Sequence, residues 1–267
     1  MSTPIPAFLH NRVKDKLARD EVVASMTVRL VRGIEIARIA KTAGFDTLYI
    51  DLEHCSFSLD ATGQICMAAL SAGITPFVRV PANTPEYISR VLDGGALGII
   101  APHVRSAADA RAVVAAAKFT PQGERSATAG LPQLEYRTYP AVEANPALND
   151  ATMVIVMLET LEALDKVEEI AAVDGVDMML IGTNDLTAEM GIPGKYDDPR
   201  VRQAYERAIA ACRKHGKHVG VGGLASRPDL VAEFVKLGAR YVSTGTDLAF
   251  LAAACAAKAK QVHDLSA

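Results

Sequence analysis

Thr47-Leu48-Tyr49-Ile50-Asp51-Leu52-Glu53-His54 is a short apolar run that ends abruptly in two carboxylates and an imidazole. Its length and its β-branched and aromatic content predict a buried strand. A strand closing with Asp, Glu and His sets three groups able to carry protons or metal ions where a sheet meets solvent, and that edge is where α/β enzymes do their chemistry. The ending recurs: Pro76-Phe77-Val78 leads into Arg79, Met153 to Leu158 leads into Glu159, and Met178-Met179-Leu180-Ile181 leads through Gly182-Thr183-Asn184 to Asp185. A single strand-end Asp can simply cap the next helix. Four charged endings on one side of a sheet are harder to explain as caps.

Strand-like runs fall near 22–30, 47–53, 75–80, 98–101, 153–159, 178–181, 218–221 and 241–244. Between them lie helix-period segments near 34–43, 59–72, 85–93, 107–118, 161–172, 199–215 and 229–237, with an eighth at about 247–262. Ala43-Gly44-Phe45-Asp46, Ala72-Gly73-Ile74-Thr75, Asp174-Gly175-Val176-Asp177 and Leu237-Gly238-Ala239-Arg240 repeat one junction, a glycine just past a helix and then a short link into a strand. Eight strands alternating with eight helices predict an α/β fold, a (β/α)8 TIM barrel formed as a single domain over 1–267. The repeat is interrupted between Phe119 and Asp150, and the inserted loop region at about 119–152 is read as one partly ordered excursion without core-forming periodicity.

The 267 residues are 50% apolar and only 5% aromatic with no Trp, which suits a core of Ala, Val, Ile and Leu. A formal net charge of −3 with scattered signs excludes a basic face for nucleic acid or a polybasic membrane patch. No apolar run approaches the roughly 20 residues of a membrane span. Cys55, Cys66, Cys212 and Cys255 show no CxxC spacing and the N-terminus has no signal-peptide profile, so a reduced cytoplasmic setting is expected. Cys55 beside His54 suggests a nucleophile, but a lone Cys is more often a small packing residue.

Strand order around a barrel places Asp51, Glu53, His54 and Arg79 on the side opposite Glu159 and Asp185. Two carboxylates on adjacent strand ends raise one another's pKa unless a cation intervenes, and a hard divalent ion such as magnesium, manganese or cobalt resolves the repulsion. The alternative is that Glu159 pairs with an arginine and Asp185 caps a helix. Arg79 offers a fixed, permanently charged fork for an oxyanion, and His54 near Asp51 offers an imidazole whose tautomer a carboxylate could set.

Tyr49 to His54, Val78-Arg79-Val80-Pro81, Leu92-Asp93-Gly94-Gly95, Pro121-Gln122-Gly123-Glu124-Arg125, Leu158-Glu159-Thr160 and Gly175-Val176-Asp177 with Ile181 to Leu186 occur in order, and together they resemble the HpcH/HpaI family of class II, metal-dependent pyruvate aldolases. The resemblance runs from about Gly33 to Asp247. It implies metal ligands at Glu159 and Asp185, an enolate-stabilising Arg79, a His54–Asp51 catalytic dyad, and backbone groups of Gly182, Thr183 and Asn184 near the substrate carboxylate. It also implies a homo-oligomer, a hexamer, in which the last helix is exchanged with a neighbouring subunit. No organic cofactor is implied; the partners are a small oxo acid and an aldehyde. Two positions depart from the pattern: Met157 stands where Gln is common, and His103 in Pro102-His103-Val104 stands where Met is common.

The expected function is that of an aldolase making or cleaving 4-hydroxy-2-oxo acids, with pyruvate or a hydroxypyruvate-like donor. A Schiff-base mechanism needs a lysine in the barrel mouth, and Lys217 precedes the seventh strand at the wrong end. A phosphate-handling isomerase or lyase is suggested by Gly220-Val221-Gly222-Gly223 and Ser243-Thr244-Gly245-Thr246 after strands seven and eight. A non-catalytic binding barrel is the remaining alternative.

Overall fold

The computed structural model describes residue 5 and residues 9–266. Eight parallel strands close in sequence order: β1 (Val23–Val28), β2 (Thr47–Asp51), β3 (Thr75–Arg79), β4 (Gly98–Ala101), β5 (Met153–Leu158), β6 (Met178–Gly182), β7 (His218–Gly222) and β8 (Tyr241–Ser243). This is the (β/α)8 barrel expected from the alternation of strands and helices.

Side chains alternate across each strand. Leu48, Ile50, Val78, Val154, Val156, Met179 and Ile181 face the helices and join the outer core. Tyr49, Phe77, Ile155, Met157, Met178, Leu180 and Tyr241 point inward and fill the barrel. The Phe77 and Tyr241 rings lie 6.3 Å apart, and the Tyr241 hydroxyl donates to Ser25 Oγ at 2.8 Å. Helix α1 (Arg12–Ala18), capped by the Asn11 side chain, sends Val13 and Leu17 into this inner cluster and stops the end of the barrel where the strands begin. That helix was not anticipated from the sequence.

The outer layer is made by α2 (Glu35–Thr42), α3 (Leu59–Ala72), α4 (Pro85–Asp93), α5 (Ala107–Ala117), α7 (Leu161–Asp165), α8 (Val167–Ala171), α10 (Pro199–Lys214) and α11 (Pro228–Leu237). One of the expected helices is divided, and one further short helix was not expected. The run after β5 is divided at Lys166 into α7 and α8, and a short helix α9 (Thr183–Glu189) follows β6 directly before α10. Helix α12 (Asp247–His263) is followed by a 3-10 turn at Asp264–Ser266 and buries only Asp247.

The region after α5 corrects the expectation of an excursion lacking a core. It holds a short 3-10 turn at Pro132–Leu134 and helix α6 (Ala141–Ala151), and Phe119, Leu131, Leu134, Tyr139, Ala144 and Leu148 form an apolar cluster with Leu9 and Leu97. Its apolar residues are too widely spaced to read as one periodic element, because they come from separate turns that meet only in space. Polar ties lock it down. Asn149 Oδ1 accepts from Phe119 N at 2.7 Å, and Gln133 Nε2 donates to the carbonyls of Leu92 and Ala96.

Lys118 is 4% exposed, and its ammonium donates to the carbonyls of Asn149 and Thr152, pinning this region to the start of β5. Burial pulls its pKa down from 10.5 to about 8. Between those values the unfolded chain binds the proton more tightly than the folded one, so this group's contribution to stability grows as pH rises. Denaturant unfolding of Lys118→Met should show a flatter stability profile from pH 8 to 10.5 than the parent, alongside a lower stability from two carbonyls left without their donor; an unchanged slope would place the ammonium in water.

Candidate active site

Strand parity decides what stands at the mouth. On β2 the inward series is Thr47, Tyr49 and Asp51; on β3 it is Thr75, Phe77 and Arg79; past β5 it continues from Ile155 and Met157 to Glu159. Asp51 and Arg79 are register partners, so both reach the mouth at one level. With Thr27, Arg29, His54, Gly182, Thr183, Asn184 and Asp185 they line a cavity of about 380 Å³ at the carboxyl ends of the strands.

Asp51 is fully buried and takes a two-pronged contact from Arg79, Nε to Oδ1 at 3.0 Å and Nη2 to Oδ2 at 2.6 Å. Its Oδ1 also accepts from the backbone N–H of Glu53 at 3.0 Å and of His54 at 3.2 Å. Burial works to raise the Asp51 carboxyl, but the Arg79 guanidinium and those N–H donors outweigh it and hold the pKa below the usual value. From here the charges run on around the rim. Arg79 Nη1 lies 2.6 Å from Glu53 Oε2, an ion pair approached outside hydrogen-bond geometry. Glu53 Oε1 lies 2.8 Å from His103 Nε2, and the backbone N–H of His103 donates to Glu159 Oε2 at 3.0 Å.

The two sets of residues expected on opposite sides of the mouth are therefore joined through β4 by His103. It takes a left-handed backbone, φ 56°, in which its N–H and its ring contact two different carboxylates. The sequence marked His103 only as a departure, because the bridge depends on Glu53 and Glu159 being brought together by barrel closure.

His54 is placed differently from the expected dyad. Its ring is half exposed, its Nε2 is 3.7 Å from Glu53 Oε2, and its link to Asp51 is through the backbone N–H alone. The residue lies beyond the strand on the following turn, where parity no longer aims the side chain at Asp51, and both Asp51 oxygens are occupied by Arg79 and the turn. Cys55 spends its thiol on the carbonyl of Asp51, at 2.5 Å, and burial pushes its pKa up, the reverse of an activated nucleophile.

Glu159 is 4% exposed, and burial, with the charges of Asp185 and Glu53, raises its pKa against the opposing effect of the His103 N–H and imidazole. A Cβ on Gly182 would sit 2.7 Å from Glu159 Oε1 and 2.8 Å from its Cγ, so glycine there leaves the room the carboxylate occupies. Among the described residues no group of three or more His, Cys, Asp or Glu side chains converges as a metal cage. Two acidic oxygen donors beside an open cavity nevertheless suit a hard ion of the magnesium type, which keeps waters and takes further oxygens from its substrate. Glu159 and Asp185 are the residues that could hold it.

Thr183 is buried with its hydroxyl 2.8 Å from that of Tyr205 and donating to the Gly222 carbonyl, while Asn184 Oδ1 accepts from Tyr196 at 2.7 Å. The Thr183 hydroxyl and Asn184 Oδ1 are committed to the wall, leaving the Asn184 amide nitrogen and backbone groups for a ligand. The glycine-rich turns after β7 and β8 also line the cavity, but close packing accounts for two of their glycines: a Cβ on Gly222 would lie 2.9 Å from the Ile181 carbonyl oxygen, and one on Gly245 would run into the Phe250 ring. Arg227, the nearby cation of that rim, is paired with Asp197 and Asp229. No lysine lines this cavity; Lys217 borders a separate one at the opposite end with Lys14, Asp177 and His218.

The family model of the HpcH/HpaI aldolase/citrate lyase family matches residues 32–254. The chain belongs to that family. It is 41% identical over 245 residues, 91% of each chain, to a 4-hydroxy-4-methyl-2-oxoglutarate aldolase of Hapsidospora irregularis. A hydroxypyruvate/pyruvate aldolase of Cupriavidus necator is 37% identical over 216 residues, 80% of this chain and 78% of that one. In three dimensions the HpcH/HpaI aldolase from Desulfitobacterium hafniense DCB-2 superposes with a TM-score of 0.87 at 28% identity, covering 93% of this chain and 95% of that chain. The chain is thus an aldolase-type carbon–carbon lyase, and class II aldolases of this family generally depend on a divalent metal ion.

Replacing Asp51 by Asn removes one partner of a buried ion pair, which costs about 3–5 kcal/mol when the other charge stays buried. Asp51→Asn should therefore lower stability by that order in denaturant titration and release the Arg79 side chain; a loss below about 1 kcal/mol, the scale of a surface pair, would show the pair to be well solvated.

Proposed function

We propose that this protein makes and cleaves 4-hydroxy-2-oxo acids, with pyruvate or a hydroxypyruvate-like oxo acid as the donor. The observation that carries the reading is one mouth gathering an arginine fixed by a buried carboxylate and the pair Glu159 and Asp185, in a chain of this family. Glu159 and Asp185 would hold magnesium, manganese or cobalt. A divalent ion supplies Lewis-acid polarisation of the donor's carbonyl, which makes its methyl protons easier to remove.

The chain's own groups do the rest. In the cleavage direction the C3–C4 bond breaks, the C4 hydroxyl gives up its proton as it becomes a carbonyl, and the electron pair passes to C3 to form the enolate of pyruvate, which is then protonated at that carbon. Arg79, unable to turn because Asp51 grips Nε and Nη2, holds its charge beside the developing enolate, with Nη1 shared with Glu53. His54, half exposed at the rim beside Glu53, takes and returns the proton of the C4 hydroxyl. Asp51 acts on His54 by fixing its turn through the backbone. Gly182, Thr183 and Asn184 supply the wall against which the donor carboxylate rests.

The last helix extends the reading to assembly. Leu248, Phe250 and Leu251 of α12 are exposed, and packing of this helix on a neighbouring subunit, in a hexamer, would cover them. The four cysteines are unpaired and no helix is long and apolar enough to cross a membrane, among the described residues, which agrees with a cytoplasmic enzyme.

Exchange of the pyruvate methyl protons in deuterated water tests the chemistry without any acceptor. Exchange should require a divalent ion, stop on chelation and be lost in Glu159→Gln; absence of exchange with every divalent ion would sink the proposal. In His54→Ala the aldol step should slow by about 100-fold or more at saturating substrate while pyruvate still binds, the scale of losing a general acid–base group. Weaker binding with unchanged turnover would make His54 a positioning residue.

A further inference from the structure

Arg29 has no part in the chemistry above, yet it lines the same cavity. The inward series of β1 runs Val23, Ser25 and Thr27, with Ser25 accepting from Tyr241 and the Thr27 hydroxyl 3.0 Å from that of Ser243. Arg29 is the next step of that series, one residue past the strand, and so stands at the mouth.

We propose that Arg29 binds a carboxylate carried by the acceptor, so that the acceptor is a 2-oxo acid and the adduct has a carboxylate on the carbon that bears its hydroxyl. The inference rests on the aldolase reading and adds the acceptor's chemical class to it.

The residue is built into the site at both its backbone and its side chain. Asp247, 5% exposed at the start of α12, accepts from the backbone N–H of Arg29 at 2.9 Å, of Leu30 at 3.0 Å and of Val31 at 2.8 Å, so a buried carboxylate fixes the segment that carries the guanidinium. Arg29 Nε lies 3.4 Å from Asp51 Oδ2, and Nη2 donates to the His54 carbonyl at 3.1 Å. Nη1 donates to no protein atom among the described residues, and the side chain remains 37% exposed.

Asp51 cannot neutralise a second guanidinium fully, because Arg79 already holds both its oxygens at shorter distances. Arg29 therefore brings a positive charge and an open donor edge to the mouth, against the neighbouring turn that carries His54. A substrate carbon bearing both a carboxylate and a hydroxyl satisfies the two together: the carboxylate meets Arg29 and the hydroxyl is left facing His54. A neutral aldehyde adduct meets only the second. Guanidinium–carboxylate recognition is directional and charge-assisted, so it would set the orientation of the acceptor face as well as its affinity.

The test compares cleavage of 4-hydroxy-4-methyl-2-oxoglutarate, which carries the C4 carboxylate, with that of 4-hydroxy-2-oxopentanoate, which does not, by pyruvate release from the metal-loaded enzyme. The parent should favour the dicarboxylate in kcat/KM. In Arg29→Gln the ratio of the two kcat/KM values should fall by about 30- to 100-fold, chiefly through KM of the dicarboxylate, the scale of losing a charge-assisted pair. Arg29→Lys should recover part of it. Equal losses on both substrates in both variants would show Arg29 to be only a clamp on the His54 turn and would overturn the inference, as would a parent that prefers the neutral substrate. Pyruvate methyl exchange separates the two levels: exchange with an unmoved ratio refutes the role of Arg29 alone, whereas no exchange and no cleavage of either compound removes the aldolase reading and this inference with it.

Discussion

A single buried carboxylate organises the mouth of this barrel. Asp51 has no contact with solvent, yet it stays ionised because a bidentate arginine and two backbone N–H groups stabilise its charge more than burial penalises it. Arg79 is thereby held still, Arg29 is drawn alongside, and the turn carrying Glu53 and His54 is fixed by the same oxygens. Removing that carboxylate would leave Arg79 with Glu53 and Arg29 with the His54 carbonyl as their remaining anchors.

From this point the charges continue through Glu53 and His103 to Glu159, so the ends of β1 to β5 share one electrostatic network. It ends at the crowded acidic side, where burial and the neighbouring carboxylates raise the pKa of Glu159. Positive charge is concentrated at one end and negative charge at the other. An oxo acid bridging a cation and an arginine suits that polarity, and Gly182 preserves the space in which the acidic end is built.

Much of the fold was legible because its signals are local. Apolar runs of strand length, glycine at the helix ends and helix-period segments between them each depend on neighbours within a few residues, and the barrel follows from their alternation. The region after α5 was misread because its core is assembled from Phe119, Leu134 and Leu148 together with Leu9 and Leu97, residues that no window of sequence contains at once. Helix α1 escaped for the same reason: Val13 and Leu17 acquire meaning only as the plug of a closed barrel.

At the site, the sequence by itself determined which strands end in charge and, through ordered motifs, the family to which the chain belongs. It also contained the parity that brings Arg29 to the mouth, in Val23, Ser25, Thr27 and Arg29. Tertiary structure alone decided who pairs with whom. Asp51 and His54 are three residues apart, and proximity in the chain suggested a dyad, but parallel register sets Asp51 opposite Arg79 and closure brings His103 between Glu53 and Glu159. A charged side chain is partnered by whatever group reaches it at the lowest free energy across the assembled barrel, and that choice is made only when all eight strands are in place.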